Sequence, residues 1–231
     1  MTKVLDIGQD YFAKLYNLPM CDAPADAELL WVDLETTGLY VVEDEVLEVG
    51  GILTNRYGQV CYGINAFHAM VHLPKLTLQN VCNPIAYEMH VRSGLVDAVT
   101  DNTDERLYRY ISNQTDGMKR PTDQISEDML AWLKSTGVDG KSLQLAGNSV
   151  GFDQKFFDRD FRSVYDWLFY RVRDVSTMKS LDVDFSIGEF YAKRGPNMKV
   201  HRSLPDIADS IHEYRYYLTK MGAVGGSNGA A

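Results

Sequence analysis

The stretch Leu29-Leu30-Trp31-Val32-Asp33-Leu34-Glu35-Thr36-Thr37-Gly38-Leu39 constrains this chain most, because it sets two carboxylates two positions apart on an otherwise apolar strand and then turns. Side chains of a strand alternate between its faces, so Asp33 and Glu35 leave from the same face, with Trp31 behind them on it. Two like charges side by side on a core strand are costly without something positive between them. The occupant that fits such hard oxygen ligands is a divalent cation, magnesium or manganese. An isolated Asp-x-Glu is more often a solvated strand end, so the assignment needs partners elsewhere in the chain.

Composition narrows what those partners serve. A chain of 231 residues with 45% hydrophobic content has room for one full globular core. Its net charge of −9 argues against a long duplex as ligand, because phosphate neutralisation by basic side chains supplies much of the affinity for duplexes. A nucleic-acid substrate would have to be short, or held through metal ions and a few placed groups. Cys21, Cys61 and Cys82 form no Cys-x-x-Cys pair and read as reduced thiols of a cytoplasmic protein. Asp6, Asp10, Asp22 and Asp26 interrupt the N-terminal stretch, which has neither a signal core nor the acid-poor look of a transit peptide. No apolar run approaches transmembrane length, so no membrane partner is expected.

The pattern divides the chain into an N-terminal appendage over 1–27, a main domain over 28–221 and a disordered Gly-rich tail over 222–231. A short helix is expected around 11–16, and strands over 29–34, 46–54 and 59–67, the last two joined by the turn Asn55-Arg56-Tyr57-Gly58. Helices are expected over 93–101, 105–112 and 126–135, the last with Ser126 as its N-cap. A short strand over 143–147 leads to a helix near Phe152, a further strand covers 171–175, and Pro205 starts a final helix to about Lys220. Leading strands followed by alternating helices and strands give an α/β fold with a mixed sheet. The polar stretch 100–124 resists assignment.

Two more constellations carry chemistry. In Gly147-Asn148-Ser149-Val150-Gly151-Phe152-Asp153, a small-residue turn precedes an acid in the first turn of a helix, and in His201-Arg202-Ser203-Leu204-Pro205-Asp206 a histidine precedes a helix with an acid in its first turn. Taken singly, each is ordinary helix-start chemistry. In this order, Asp33 and Glu35, then Asp153, then His201 and Asp206 resemble the motifs of the DEDDh 3′-to-5′ exonucleases, and the resemblance sharpens to the oligoribonuclease family. It rests on Trp31-Val32-Asp33-Leu34-Glu35-Thr36-Thr37-Gly38-Leu39, on His90 with Ser93-Gly94-Leu95-Val96, and on Gly147-Asn148-Ser149-Val150-Gly151. Two further stretches, Tyr170-Arg171-Val172-Arg173-Asp174-Val175-Ser176-Thr177 and the run from His201 to Ile207, complete it.

The resemblance implies a ribonuclease-H-like mixed β-sheet flanked by helices, and a 3′-to-5′ exoribonuclease that degrades short RNA to nucleoside 5′-monophosphates. It implies two divalent metal ions, Mg2+ or Mn2+, held by Asp33, Glu35, Asp153 and Asp206. Such ions supply a nucleophile at neutral pH and neutralise charge on the attacking and leaving oxygens. His201 is the candidate general base, because a free imidazole changes charge close to neutral pH. By the same resemblance Leu39 wedges against the terminal bases, His90 and Ser149 line the nucleotide site, and Tyr170, Arg171, Ser176 and Thr177 reach across a homodimer to the 5′ phosphate. The chain departs from the family in the appendage, in a longer stretch over 101–119, over 182–198, and at Ile85, where the family usually stacks a tryptophan. Two alternatives stay open: a DEDDh exonuclease acting on single-stranded DNA or longer RNA, and an inactive nucleic-acid-binding module.

Overall fold

The computed structural model describes residues 8–113, 117–181 and 200–223. The expected departure over 182–198 and the tail beyond residue 223 lie outside them. A mixed seven-stranded sheet forms the centre, built from β1 (Met20–Cys21), β2 (Leu29–Thr36), β3 (Val46–Thr54), β4 (Val60–Cys61), β5 (Phe67–Met70), β8 (Gln144–Gly147) and β9 (Phe169–Asp174). The order is β1-β4-β3-β2-β8-β9, with β5 also paired to β3. β3 runs antiparallel to β2, whereas β8 is parallel to both β2 and β9. β6 (Ile111–Asn113) and β7 (Gly117–Lys119) form a separate ribbon. The architecture is the expected ribonuclease-H-like α/β fold.

Alternation along β2 sorts its side chains into two cores. Leu30, Val32 and Leu34 face α4 (Leu95–Thr100), α5 (Pro121–Ser135), α6 (Gly151–Asp160) and α7 (Arg162–Trp167), where Val99, Ile125, Met129, Phe156, Phe157 and Val164 are buried with them. Leu29 and Trp31 face α1 (Gln9–Leu15) and the long C-terminal helix α9 (Ser203–Lys220), among Phe12, Ile207, Ile211 and Tyr214. Trp31 is fully buried, donates its indole N–H to Thr54 Oγ1 at 2.7 Å, and meets Tyr214 edge-on. Loss of such a residue costs about 3–5 kcal/mol. Asp33 and Glu35 continue this α9-side face toward the end of the strand, past the reach of the apolar packing.

Residues 8–27 are joined to the sheet. β1 pairs with β4, Gln9 accepts the Leu53 N–H and donates to Cys61 O, and Phe12 and Ala13 pack in the α9-side core. The predicted strand over 59–67 is two short strands, β4 and β5, separated by a stretch in which Gly63 has φ +81°. The hairpin turn before it forms as expected, closed by Asn55 N–H to Gln59 O at 3.0 Å.

The helix predicted over 105–112 is absent. Tyr108 instead bridges Val71, with its N–H on Met70 O and its hydroxyl on Asp128, and is buried; long-range packing overrides local helical pattern there. The helix predicted from Ser126 begins five residues earlier, at Pro121, whose fixed φ suits a first helical position. Ser126 lies within the helix, its hydroxyl on Ser163 at 2.7 Å. The sequence pattern does not announce α2 (Lys75–Val81) or α3 (Pro84–Arg92), which bury only Leu78 and His90 respectively and so carry no apolar stripe. α8 (Val175–Leu181) follows β9 directly.

Candidate active site

The end of β2 opens into a cavity of about 390 Å³ whose walls include Asp33, Glu35, Asp153, His201 and Asp206. Three elements meet there, each for a local reason. β2 presents Asp33 and Glu35 from one face by strand alternation. A register shift between Glu35 and Thr36 against β3 kinks the strand end where it enters the cavity. α6 places Asp153 in its first turn, where the helix dipole favours an anion, and the Leu34 N–H donates to Asp153 Oδ1 at 3.0 Å. That bond ties the third acid to the backbone between the first two.

α9 brings His201 and Asp206. The helix lies close on the sheet because Gly50, directly across from Asp33, has no side chain: a Cβ there would fall 2.9 Å from Ser203 Oγ and 3.0 Å from Ile207 Cδ1. His201 turns into the helix with φ +53°, a left-handed conformation that costs a non-glycine residue about 1–3 kcal/mol unless its surroundings impose it. Asp206, in the first turn and 2% exposed, accepts the Val200 N–H at 3.2 Å. One ligand atom each from Glu35, His201 and Asp206 lie within 4.8 Å of one another. Two buried carboxylates and an imidazole this close form a donor set that suits a hard divalent cation. Asp33 and Asp153 add two more carboxylates to the same cavity.

His90 is buried at the cavity wall. Its Nε2–H donates to Thr36 O at 2.8 Å, which leaves Nδ1 an acceptor, without a hydrogen-bond partner, 3.7 Å from Glu35 Oε2. Burial pushes its pKa below the ordinary value, against the opposing pull of the Thr36 carbonyl. The loop after β2 is held from within and from outside: Asp44 accepts the Thr37 hydroxyl and the Tyr40 N–H, and Arg159 donates to the carbonyls of Val41 and Asp44. Gly38 permits this, since a Cβ would lie 2.5 Å from the Asp44 carboxylate. The loop thrusts Leu39, 77% exposed, to the cavity mouth, with Ile85, 72% exposed, also in its lining.

The remaining expected residues divide. Ser149 lines the cavity at φ +55°, its N–H on Asp174 Oδ1 and Ser176 Oγ. Thr177 donates to Asp174 Oδ2 at 3.1 Å, one step further out. Tyr170 and Arg171 stand exposed on the edge strand β9 and do not line this cavity. Sequence reasoning did not single out Phe152 and Met89, which complete the apolar wall, or Glu48. An acid inside the otherwise apolar run of β3 was the signal for Glu48. Burial drives its pKa up, but hydrogen bonds from His68 and Arg202 outweigh that and hold it at about 2.

Solved structures share this fold. Pop2p of S. pombe, in its Mg2+- and Mn2+-bound form, superposes with a TM-score of 0.59 at 12% identity, over 92% of this chain and 89% of that one. E. coli exonuclease I in a complex with single-stranded DNA gives 0.55 at 13% identity, over 84% of this chain and 41% of that one. No family model matches the chain. Among curated relatives, the oligoribonuclease of Mycobacterium sp. (strain KMS) is 29% identical over 82% of this chain and 79% of its own length. That of Streptomyces griseus is 30% identical over 82% of this chain and 84% of its own. With identity at this level sustained over most of both sequences, the chain belongs to the oligoribonuclease family.

Proposed function

We propose that this protein is a 3′-to-5′ exoribonuclease that degrades short RNA oligonucleotides to nucleoside 5′-monophosphates by two-metal-ion hydrolysis. The convergence of Asp33, Glu35, Asp153, His201 and Asp206 on one cavity is the observation that carries this reading. Magnesium or manganese ions held by the four carboxylates would supply a nucleophile at neutral pH and neutralise charge on the reacting oxygens. His201 serves as the general base that takes the proton of the attacking water, its ring near the Glu35 and Asp206 carboxylates. Leu39 and Ile85 give the terminal base an apolar seat, and the cavity has the size of an ordinary small-ligand site. His90 braces the turn at Thr36, and Ser149, its hydroxyl bonded to that of Ser176, lines the same cavity.

Selection for short oligomers is supported by the net charge of −9, which leaves little basic surface for a long backbone. We assign the far end of the substrate to Tyr170 and Arg171, presented from the exposed edge of β9 in a homodimer, and to Ser176 and Thr177 of α8, the helix that follows that strand. An arginine among hydroxyls suits bidentate phosphate capture. A reducing, cytoplasmic setting suits Cys21 and Cys61, whose sulfurs lie 3.4 Å apart as thiols. Among the described residues no helix is long and apolar enough to cross a membrane.

A length series of end-labelled RNA and DNA oligomers tests the reading. Preference for RNA of two to about four nucleotides, released as 5′-monophosphates and cut to a small residual rate in His201→Ala, is expected. Equal or faster cleavage of single-stranded DNA or of long RNA would favour a trimming or proofreading exonuclease. No cleavage at all would leave a binding module.

A further inference from the structure

Glu48 sits across the β2–β3 pair from Glu35, so both carboxylates emerge on the face that carries the site. Yet Glu48 is withdrawn from it. Its carboxylate accepts the His68 Nε2–H at 2.7 Å, the Arg202 Nη2–H at 2.8 Å, the Arg202 Nε–H at 3.0 Å and the Ser203 N–H at 3.0 Å. The carboxylate is thus filled by donors and 1% exposed. Two of those donor residues, Arg202 and Ser203, directly follow His201. The left-handed turn at His201 is therefore pinned on its C-terminal side to the centre of the sheet, and the same bond caps the first N–H of α9, the helix that carries Asp206.

We infer that Glu48, through Arg202 and the Ser203 N–H, is a positioning residue for His201: a buried clamp that fixes where the base stands relative to the carboxylates of β2. The inference rests on the assignment of His201 as the base. Glutamine at 48 keeps the shape but not the function, because its amide NH2 would face donors from Arg202 and Ser203. Glu48 does not line the cavity, so its structural hold on the site passes through the residues it binds.

A double-mutant cycle in the full-length protein, read on a short RNA with magnesium, tests the clamp. Glu48→Gln and Arg202→Gln should each lower kcat on the order of 10²-fold, the scale set by misplacing a catalytic group by about 1 Å, with KM shifted less than about threefold. Arg202→Lys should recover much of the loss. In the His201→Ala background Arg202→Gln should add no further loss, since the group it positions is gone. Arg202 is partly exposed, so its variants report even if Glu48→Gln fails to fold. Wild-type kcat in Arg202→Gln, or the same loss with and without His201, overturns the clamp while leaving the base assignment intact. Full activity in His201→Ala overturns both.

Discussion

Gly50→Ala adds one methyl group where α9 rests on β3, directly opposite Asp33. The new Cβ would lie 2.9 Å from Ser203 Oγ and 3.0 Å from both Ser203 Cβ and Ile207 Cδ1. Unstrained carbon contacts sit at about 3.5–4.0 Å, so the shortfall is about 0.5–1 Å. Ile207 can swing its terminal methyl aside, but Ser203 Cβ is one bond from the helix backbone, and the N-terminal turn of α9 must move. Overpacking of this kind costs about 1–3 kcal/mol, which for a chain of this size lowers Tm by about 2–12 °C. The same displacement separates Asp206 and His201 from Asp33 and Glu35, and a shift near 1 Å costs up to about 10²-fold in kcat. The assay is turnover of a labelled dinucleotide at saturating metal, beside a thermal melt. Adding Ser203→Gly removes the two close atoms of Ser203, leaving only the movable Ile207 methyl, and should restore kcat, even though glycine in the helix lowers Tm further by itself. Wild-type kcat in Gly50→Ala, or no recovery in the double variant, would refute the view that helix-to-sheet spacing sets the site.

Magnesium or manganese should raise Tm in the wild type and much less in Asp33→Ala, because cations relieve repulsion among the clustered carboxylates only where the cluster is intact; equal shifts would count against shared metal binding. Acid should weaken the wild type more than Glu48→Gln. The Glu48 pKa is held at about 2 in the fold against an ordinary 4.5, so its contribution is present above 4.5 and lost as pH falls toward 2. At 1.36 kcal/mol per unit the full loss is about 3 kcal/mol, of which about 2 kcal/mol has gone by pH 3. Urea unfolding of both proteins at pH 6 and pH 3 measures it, and parallel slopes would contradict it. Ile85→Trp, at an exposed position of the cavity lining, should tighten KM for short RNA about fivefold or more, the lower bound of one stacked base; an unchanged KM would show that no base sits there.

What the sequence made legible follows from how far each signal reaches. Asp33 and Glu35 could be read together because strand alternation is a two-residue rule, and Asp153 and Asp206 because each opens a helix within a few residues of a turn. Their meeting in one cavity needed the family resemblance, since no local rule joins β2 to α9. Glu48 shows the limit: its partner Arg202 lies 154 residues away, and an acid in a buried strand does not announce who neutralises it. The segment around Tyr108 shows another. Its local pattern is helical, and only the bridge to Val71, together with Asp128, explains why it is not a helix. α2 and α3 were hidden for the opposite reason, because helices that bury a single side chain leave no periodic trace.

The alternation of β2 has one more consequence. Val32 and Leu34 belong to one core while Asp33 and Glu35 belong to the cavity, and all four sit on consecutive positions of a single strand flanked on both sides. A slip of β2 by one residue would exchange the strand's two faces and drive two carboxylates into hydrocarbon. The penalty for a wrong catalytic face is thus the penalty for a wrong interior, and the chain cannot commit the first error without the second. Folding proofreads the chemistry here: a molecule that has packed its sheet in register has also set the strand-borne acids of its site.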